Sequence, residues 1–308
     1  YMTYPAMMVG DRDMYWALKE LRHLGGICGV HCENAGVIDG MIAEKKAAGL
    51  MGPSSHPETR PPYLEAEAIG RLLRIAQAAD CPVVIVHLTN EEALKEVEHA
   101  RKRGQKVYVE TCPQYLLLDE SVYYDSDYSQ AARYICAPPI REKANQEALW
   151  RGLRRGEIQT VSTDHCSFTL AQKDAGREDF TKIPGGLPGV ETRGELIYSY
   201  GVAAKKLSLA QMCRVLSENP AKLYGLYPRK GVLAPGSDAD IVIYDPGDSH
   251  VIRAEDCIAN VDYNPYEGFV TAGGIREVWL RGRKTVENGK VLDTVPAGMY
   301  LARGKCDL

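Results

Sequence analysis

Short apolar runs alternate with helix-like repeats along the first two thirds of the chain. The segments 26–30 and 82–86 are largely or wholly apolar and are followed by polar residues, which is typical of strands buried in a parallel sheet. Between them, apolar residues recur every three or four positions from Leu64 to Ile75, just after the helix-starting pair that ends at Pro62. Strands separated by helices of this length predict right-handed crossovers and a parallel sheet or barrel.

The same patterns predict the neighbouring elements. Thr89 followed three residues later by Glu92 predicts a capping box at the start of a helix that stops at Gly104. Further strands are predicted at 106–111 and 158–162, and further helices at 11–23, 38–48 and 144–155.

The character of the chain changes near Asn219. A β-branched run ends at Asp245, and two short strands are predicted at 277–280 and 284–287. The pair Asn288-Gly289 is a strong signal for a tight hairpin turn. The chain is therefore predicted to divide into an α/β domain, residues 1–222, and a small antiparallel domain with a tail, residues 223–308.

Composition narrows the class of protein. The chain has 308 residues, 45% of them hydrophobic, and a formal net charge of −4, which gives no support to nucleic-acid binding. No apolar run approaches the length that crosses a membrane. The nine cysteines include no CxxC pair, so reduced thiols are expected. These features favour a cytoplasmic enzyme.

Ionisable side chains follow three of the predicted strands. His31, His87 and Asp164 stand where strands meet their loops, and in parallel barrels catalytic side chains come from the C-terminal ends of several strands. A single histidine at a strand end is more often structural, but the joint placement of three such residues predicts half of a metal site. His165 points to the opposite side of an extended strand and receives no role. His56 is expected to have a local structural role in its proline-rich loop.

Six ordered motifs extend this pattern along the chain. They are Val30-His-Cys-Glu-Asn34, Val86-His-Leu-Thr89, Glu110-Thr-Cys-Pro-Gln-Tyr115, Cys136-Ala-Pro-Pro-Ile-Arg141, Ser162-Thr-Asp-His-Cys-Ser-Phe168 and Ile183-Pro-Gly-Gly-Leu-Pro-Gly-Val-Glu191. Together they resemble the dihydropyrimidinase and hydantoinase branch of the amidohydrolase superfamily. The resemblance implies the C-terminal half, strands 5 to 8, of a (β/α)8 TIM-type barrel, followed by a β-sandwich domain.

The resemblance also implies a binuclear site with two divalent metal ions, most often Zn²⁺. Carried over by motif, His31 and His87 bind one metal, and Asp164 binds the other and transfers a proton as the general acid–base. Tyr4 is implied to hydrogen-bond the substrate and stabilise the developing oxyanion. Main-chain groups at Ala137 and Gly185, where many relatives have Ser and Asn, are implied to hold the amide edge of the substrate.

Part of the family's ligand set is not in this sequence. The His-x-His pair and the bridging carboxylated lysine are missing, and the resemblance puts that lysine two residues upstream of Tyr1. The chain is therefore expected to lack the first four strands and to be inactive by itself.

For the complete protein, the resemblance implies opening of dihydrouracil, dihydrothymine or 5-substituted hydantoin rings to N-carbamoyl amino acids, in a homotetramer. A non-catalytic scaffold of the collapsin response mediator type is the alternative from another class, and retention of His31, His87 and Asp164 argues against it. Allantoinase and dihydroorotase are alternatives among enzymes, and their motifs fit less well.

Overall fold

A computed structural model of the chain describes residues 2–3, 7–293, 296–306 and 308. It contains two four-stranded sheets, one parallel and one antiparallel, with helices packed around the first. The predicted α/β class, with a separate antiparallel sheet after the parallel one, is confirmed.

The parallel sheet forms the centre of the first region. Its strands are β1 (Cys28–Val30), β2 (Val83–Ile85), β3 (Val107–Thr111) and β4 (Thr160–Val161). They lie in the order β1-β2-β3-β4 and every pairing is parallel. All three residues of β2 are buried, as its continuous apolar run predicts. Because neighbouring strands run the same way, their C-terminal ends meet at one edge of the sheet.

Helices connect these strands and follow them. They are α1 (Asp11–Leu24), α2 (Ala35–Ala47), α3 (Ser55–Glu58), α4 (Pro62–Ala79), α5 (Glu91–Lys102), α6 (Pro113–Leu117), α7 (Tyr128–Ala132), α8 (Ala144–Arg155), α9 (Leu170–Asp174), α10 (Arg193–Ile197), α11 (Leu209–Cys213) and α12 (Asn219–Leu223). Tighter 3-10 turns cover Glu120–Tyr124, Phe180–Lys182 and Ala254–Asp256, and π-helical turns cover Tyr198–Ala203 and Arg214–Glu218.

Two helix starts differ from the sequence prediction: α2 begins at Ala35, three residues before the predicted start, because Asn34 caps it, and the start of α5 differs at its cap. α4 begins at Pro62 and α8 has the predicted bounds. The predicted capping box at Thr89 is wrong, because Asn90 is the N-cap of α5 and its side chain accepts from the N–H of Ala93. The hydroxyl of Thr89 instead donates a hydrogen bond to the buried carboxylate of Glu65.

The antiparallel sheet comprises β5 (Ile241–Asp245), β6 (Gly274–Leu280), β7 (Arg283–Glu287) and β8 (Lys290–Val291). Asn288 and Gly289 connect the last two strands with φ angles of 48° and 73°, which is the left-handed geometry of the predicted tight turn. This sheet is more exposed than the parallel one, since Val242 and Val291 lie open to solvent.

The two regions are joined by polar contacts. The carboxylate of Glu195 accepts from the N–H of Ile275 at 3.0 Å, and the hydroxyl of Tyr200 donates to the carbonyl of Val270 at 3.1 Å. The division at residues 222 and 223 remains a prediction. None of the helices in the described ranges is both long enough and apolar enough to span a membrane.

Candidate active site

The three predicted ligands lie at the C-terminal edge of the parallel sheet. His31 comes directly after β1, His87 two residues after β2, and Asp164 three residues after β4. His87 and Asp164 have φ angles of 41° and 48°, a left-handed conformation that is uncommon for residues other than glycine. Such backbone strain persists only where the surroundings hold it, and it is concentrated at functional sites.

The two imidazole rings are in direct contact. Nδ1 of His31 lies 3.0 Å from Nε2 of His87, and the ring centroids are 4.8 Å apart at an angle of 69°. Both residues are buried, with exposures of 3% and 6%. The sequence prediction that these histidines share a site therefore has a geometric basis, while their role as ligands remains a prediction.

Glu33 orients the ring of His31. Its Oε2 lies 2.9 Å from Nε2 of His31. Burial alone would raise the pKa of Glu33, but the hydrogen bond from His31 and the nearby positive charges outweigh it and hold the pKa at about 2. An ionised carboxylate only accepts, so Nε2 of His31 is the protonated nitrogen. The other ring nitrogen of His31, Nδ1, then faces Nε2 of His87.

His87 is held neutral by its surroundings. Burial and the neighbouring His31 lower its pKa to about 3. Its Nδ1 is buried and has no hydrogen-bond partner among the residues the structure describes, and the same is true of Oε1 of Glu33. Buried polar atoms are nearly always paired, so these two atoms mark a polar site that the described residues leave unsatisfied.

The histidine pair fits one metal ion. Two nitrogen ligands at about 2.0–2.1 Å from a tetrahedral zinc lie about 3.3 Å apart, close to the observed separation. A carboxylate bonded to the far nitrogen of a histidine is the usual outer partner of such a ligand. Within 2–3, 7–293, 296–306 and 308, no group of three or more His, Cys, Asp and Glu side chains is placed to hold a metal. The pair therefore fits as a part of a metal site.

Asp164 stands at the same edge of the sheet, and the residue is exposed. The protein around its carboxyl nevertheless raises the pKa by removing water, and the charge of His31 offsets part of this rise.

Glu110 is an acidic neighbour to which the sequence pattern assigns no role. Burial, followed by the charge of Asp164, raises its pKa to about 7, and a hydrogen bond from the backbone N–H of His87 opposes the rise. Glu110 therefore borders both His87 and Asp164. Its signal in the sequence was an acidic residue near the end of an otherwise buried strand, β3.

The two implied substrate loops lie side by side. A Cβ built at Gly185 would be 4.0 Å from the backbone nitrogen of Ala137. The N–H of Gly186 donates to the carbonyl of Ile135 at 2.9 Å, which joins the loops directly. A Cβ at Gly186 would lie 2.4 Å from Sγ of Cys166, so the Gly186 backbone also packs against the loop that carries Asp164.

Tyr4, the implied oxyanion donor, lies outside the described residues. Met2 and Thr3, which precede it, run along the first histidine strand. The N–H of Met2 donates to the carbonyl of His31 at 3.2 Å, and the hydroxyl of Thr3 donates to the carbonyl of Glu33 at 3.0 Å.

Two further histidines support the loops. Nε2 of His56 donates to the carbonyl of Cys136 at 2.7 Å, so its role is tertiary and the expectation of a local role is wrong. Burial lowers the pKa of His56 to about 3, which keeps the ring neutral. Nδ1 of His165, to which the sequence pattern assigns no role, accepts from the N–H of Gly189 at 3.1 Å.

Comparison with known proteins gives consistent results. The model of the amidohydrolase family matches residues 2–285. The chain is 40% identical over 308 residues to the D-hydantoinase of Streptomyces coelicolor, covering 99% of this chain and 66% of that protein. It is 42% identical over 305 residues to the D-phenylhydantoinase of Escherichia coli O1:K1, covering 98% of this chain and 65% of that protein.

A solved structure is similar throughout. The dihydropyrimidinase of Brevibacillus agri superimposes with a TM-score of 0.92 at 41% identity, covering 94% of this chain and 63% of the other. The chain thus spans just under two thirds of the length of these relatives.

Proposed function

Because the chain belongs to the amidohydrolase family, we propose that the complete protein is a metal-dependent hydrolase of cyclic amides. Its substrates are dihydropyrimidines such as dihydrouracil and dihydrothymine, or 5-substituted hydantoins, and its products are N-carbamoyl amino acids. The names of the relatives, D-hydantoinase, D-phenylhydantoinase and dihydropyrimidinase, support this substrate class.

The site would hold two divalent metal ions, most consistent with Zn²⁺. Neutral imidazole and carboxylate oxygen are ligands that suit zinc, and amidohydrolases generally depend on metals. His31 and His87 would bind one ion and Asp164 the other. A divalent metal at such a site supplies Lewis-acid polarisation of a carbonyl and lowers the pKa of water.

The residues of this chain would orient the ligands, transfer the proton and hold the substrate. Glu33 fixes the ring of His31 with Nδ1 facing His87, and burial keeps His87 neutral. The Asp164 carboxylate takes the proton of the attacking water and delivers it to the departing ring nitrogen, which is general acid–base catalysis by one group. Tyr4 would donate to the developing oxyanion, and backbone groups at Ala137 and Gly185 would hold the amide edge.

The proposal also places the complete protein in the cytoplasm, as a homotetramer. All nine cysteines are free thiols, which fits the reducing cytoplasm. Burial raises the pKa of Cys32 and Cys136, so neither is an activated nucleophile. A homotetramer in which the segment 263–304 reaches a neighbour remains part of the proposal, and sedimentation of the complete protein tests it.

The observation that carries the proposal is the histidine pair. Two buried imidazoles meet through Nδ1 and Nε2 at 3.0 Å, and one of them is oriented by a buried carboxylate. A non-catalytic scaffold has no use for this arrangement, because two unpaired polar atoms beside it are costly in a dry interior.

Metal content of the complete protein tests the proposal. About two zinc or similar ions per chain are expected in wild type, and H87N should lose at least one, whereas H99N, a change at an exposed helical histidine, should lose none. D164N should suppress hydrolysis of dihydrouracil and of a 5-substituted hydantoin by roughly a hundredfold or more. A folded wild-type protein that binds no metal and opens neither ring would refute the enzyme and favour the scaffold.

A further inference from the structure

Lys173 is a buried cation beside the two substrate loops. It lies on α9, only 1% exposed, and its Nζ donates to three main-chain carbonyls. These belong to Ile135 at 2.7 Å, Pro184 at 2.6 Å and Gly186 at 2.8 Å. The ammonium group has three N–H donors, so these contacts use all of them.

This arrangement is costly for a purely structural residue. Within the part of the chain that the structure describes, no carboxylate forms an ion pair with Lys173, and carbonyl dipoles replace water around its charge. Burial lowers its pKa to about 8, which reflects the penalty on the charged form. An apolar side chain would avoid this penalty but would leave the three carbonyls without this donor, so the role of the lysine is tied to the carbonyls it binds.

The carbonyl of Pro184 fixes the backbone of Gly185. The peptide unit is planar, so the direction of the Pro184 carbonyl sets the direction of the Gly185 N–H. The next peptide unit is fixed by the hydrogen bond from the N–H of Gly186 to the carbonyl of Ile135. Both peptide planes that flank Gly185 are therefore held.

His56 fixes the peptide plane that carries the N–H of Ala137. Its Nε2 binds the carbonyl of Cys136 at 2.7 Å, and that carbonyl shares a peptide plane with the Ala137 N–H. Neither the Ala137 N–H nor the Gly185 N–H has a hydrogen-bond acceptor among the described residues. Two free donors, each set by a buried side chain behind it, thus lie at neighbouring positions of the two loops.

We infer that Lys173 and His56 are positioning residues that aim the backbone N–H groups of Gly185 and Ala137 at the amide edge of the substrate. The inference rests on the proposed function for the identity of the substrate. The positioning itself rests on the contacts of Lys173 and His56.

Kinetics of the complete protein test the substrate role. K173M should raise KM by roughly ten- to a hundredfold with a smaller change in kcat. Because the amide edge is common to all these rings, KM should rise by the same factor for two hydantoins with different 5-substituents. The control K182M changes an exposed lysine in the turn Phe180–Lys182 and should leave both constants unchanged.

A conservative variant separates positioning from packing. H56Q keeps an amide N–H for the Cys136 carbonyl and should retain a KM near that of wild type, whereas H56L should raise it. Should K173M not fold, this pair carries the same test. Wild-type KM in metal-loaded K173M or H56L would overturn the inference, and so would a loss of activity explained by a loss of metal.

Hydrogen exchange at the Gly186 amide measures the positioning of this loop independently of catalytic activity. The amide of Gly186 should exchange at least about tenfold faster in K173M than in wild type and K182M, because its acceptor Ile135 loses its anchor. If wild type opens no cyclic amide, the proposed function fails while this measurement still decides the positioning. Unchanged protection of Gly186 in folded K173M would refute it.

Discussion

The candidate site has two sides, the histidine side with His31 and His87 and the loop side with the loops that carry Ala137 and Gly185. Different kinds of contact support them. On the histidine side, carboxylates bind side chains, as Glu33 binds His31. On the loop side, the cations and neutral donors bind main-chain carbonyls, as Lys173 and His56 do. A metal ligand acts through its side chain and needs a fixed rotamer, whereas a substrate-binding loop acts through its backbone and needs fixed peptide planes. This contrast fits the proposed roles, in which the histidines act through their side chains and the loops through their backbone.

One buried network joins the two sides. Glu65 of α4 accepts from the N–H of Thr89, two residues after His87, at 3.0 Å, and from Asn90 at 2.8 Å. It also forms a buried ion pair at 2.9 Å with Arg141, which ends the Cys136-Ala-Pro-Pro motif. Glu65 therefore anchors the strained turn of His87 and the end of the loop that carries Ala137 together.

Breaking this network should have the largest effect. E65A leaves the buried Arg141 without its partner, and removing one member of a buried pair costs about 3–5 kcal/mol of unfolding free energy. E67A, two residues along the same helix, removes only exposed contacts and should cost about 1 kcal/mol at most. Urea unfolding of both variants checks this. Equal losses would show that the Glu65 network does not hold the two sides together.

Substitution of Gly186 tests how tightly the loop side is packed. Its φ is 139°, and an added Cβ would lie 2.4 Å from Sγ and 2.5 Å from Cβ of Cys166. G186A should therefore destabilise the protein by about 2–4 kcal/mol through overpacking and backbone strain. G185A is the matched control, because its nearest neighbour would be 4.0 Å away, and its thermal midpoint should stay near that of wild type. A normal midpoint for G186A would mean that the loops are not packed as described.

Glu33 tests the histidine side. E33Q keeps the shape of the side chain but removes the charge that orients His31, and loss of such an outer partner weakens metal binding by about 10- to 100-fold. E44Q, an exposed change on α2, should leave the affinity unchanged. Zinc titration against a competing chelator measures both. Wild-type affinity in E33Q would limit Glu33 to a structural ion pair.

The sequence predicted the strands and the histidine side better than the loop side. Strand periodicity puts His31 and His87 at neighbouring strand ends, and the sheet then brings them into contact. Lys173 lies in the polar stretch Ala-Gln-Lys-Asp, where nothing in the pattern distinguishes a buried lysine from a solvated one. Its three carbonyl partners are 11 to 38 residues away and meet only in the fold.

The error at Thr89 has the same origin. Local spacing favoured its hydroxyl as a helix cap, but Glu65, 24 residues earlier, takes that hydroxyl and leaves the cap to Asn90. A capping box competes with any buried acceptor that the fold brings near, and the sequence shows only one of the competitors. Tertiary contacts of this kind decide which of two adjacent polar residues serves the helix.

Asp179 should give the smallest effect and a dependence on pH. It caps the turn Phe180–Lys182 before the Gly185 loop, accepting from the N–H of Thr181 at 3.0 Å and from Lys46 at 2.7 Å. Partial burial would raise its pKa, but these hydrogen bonds outweigh it and hold the pKa at about 2, below the ordinary value of 3.8. The unfolded chain therefore binds the proton first as pH falls, so the stabilisation is complete above about pH 5 and is lost as the pH falls towards 2.

The contact with Lys46 is partly exposed and is worth about 1 kcal/mol or less. D179N keeps a good cap but no charge, so its urea midpoint should lie below that of wild type at pH 6, and the gap should narrow below about pH 4 and close near pH 2. A gap that does not narrow on acidification would show that the charge of Asp179 does not stabilise this end of the loop.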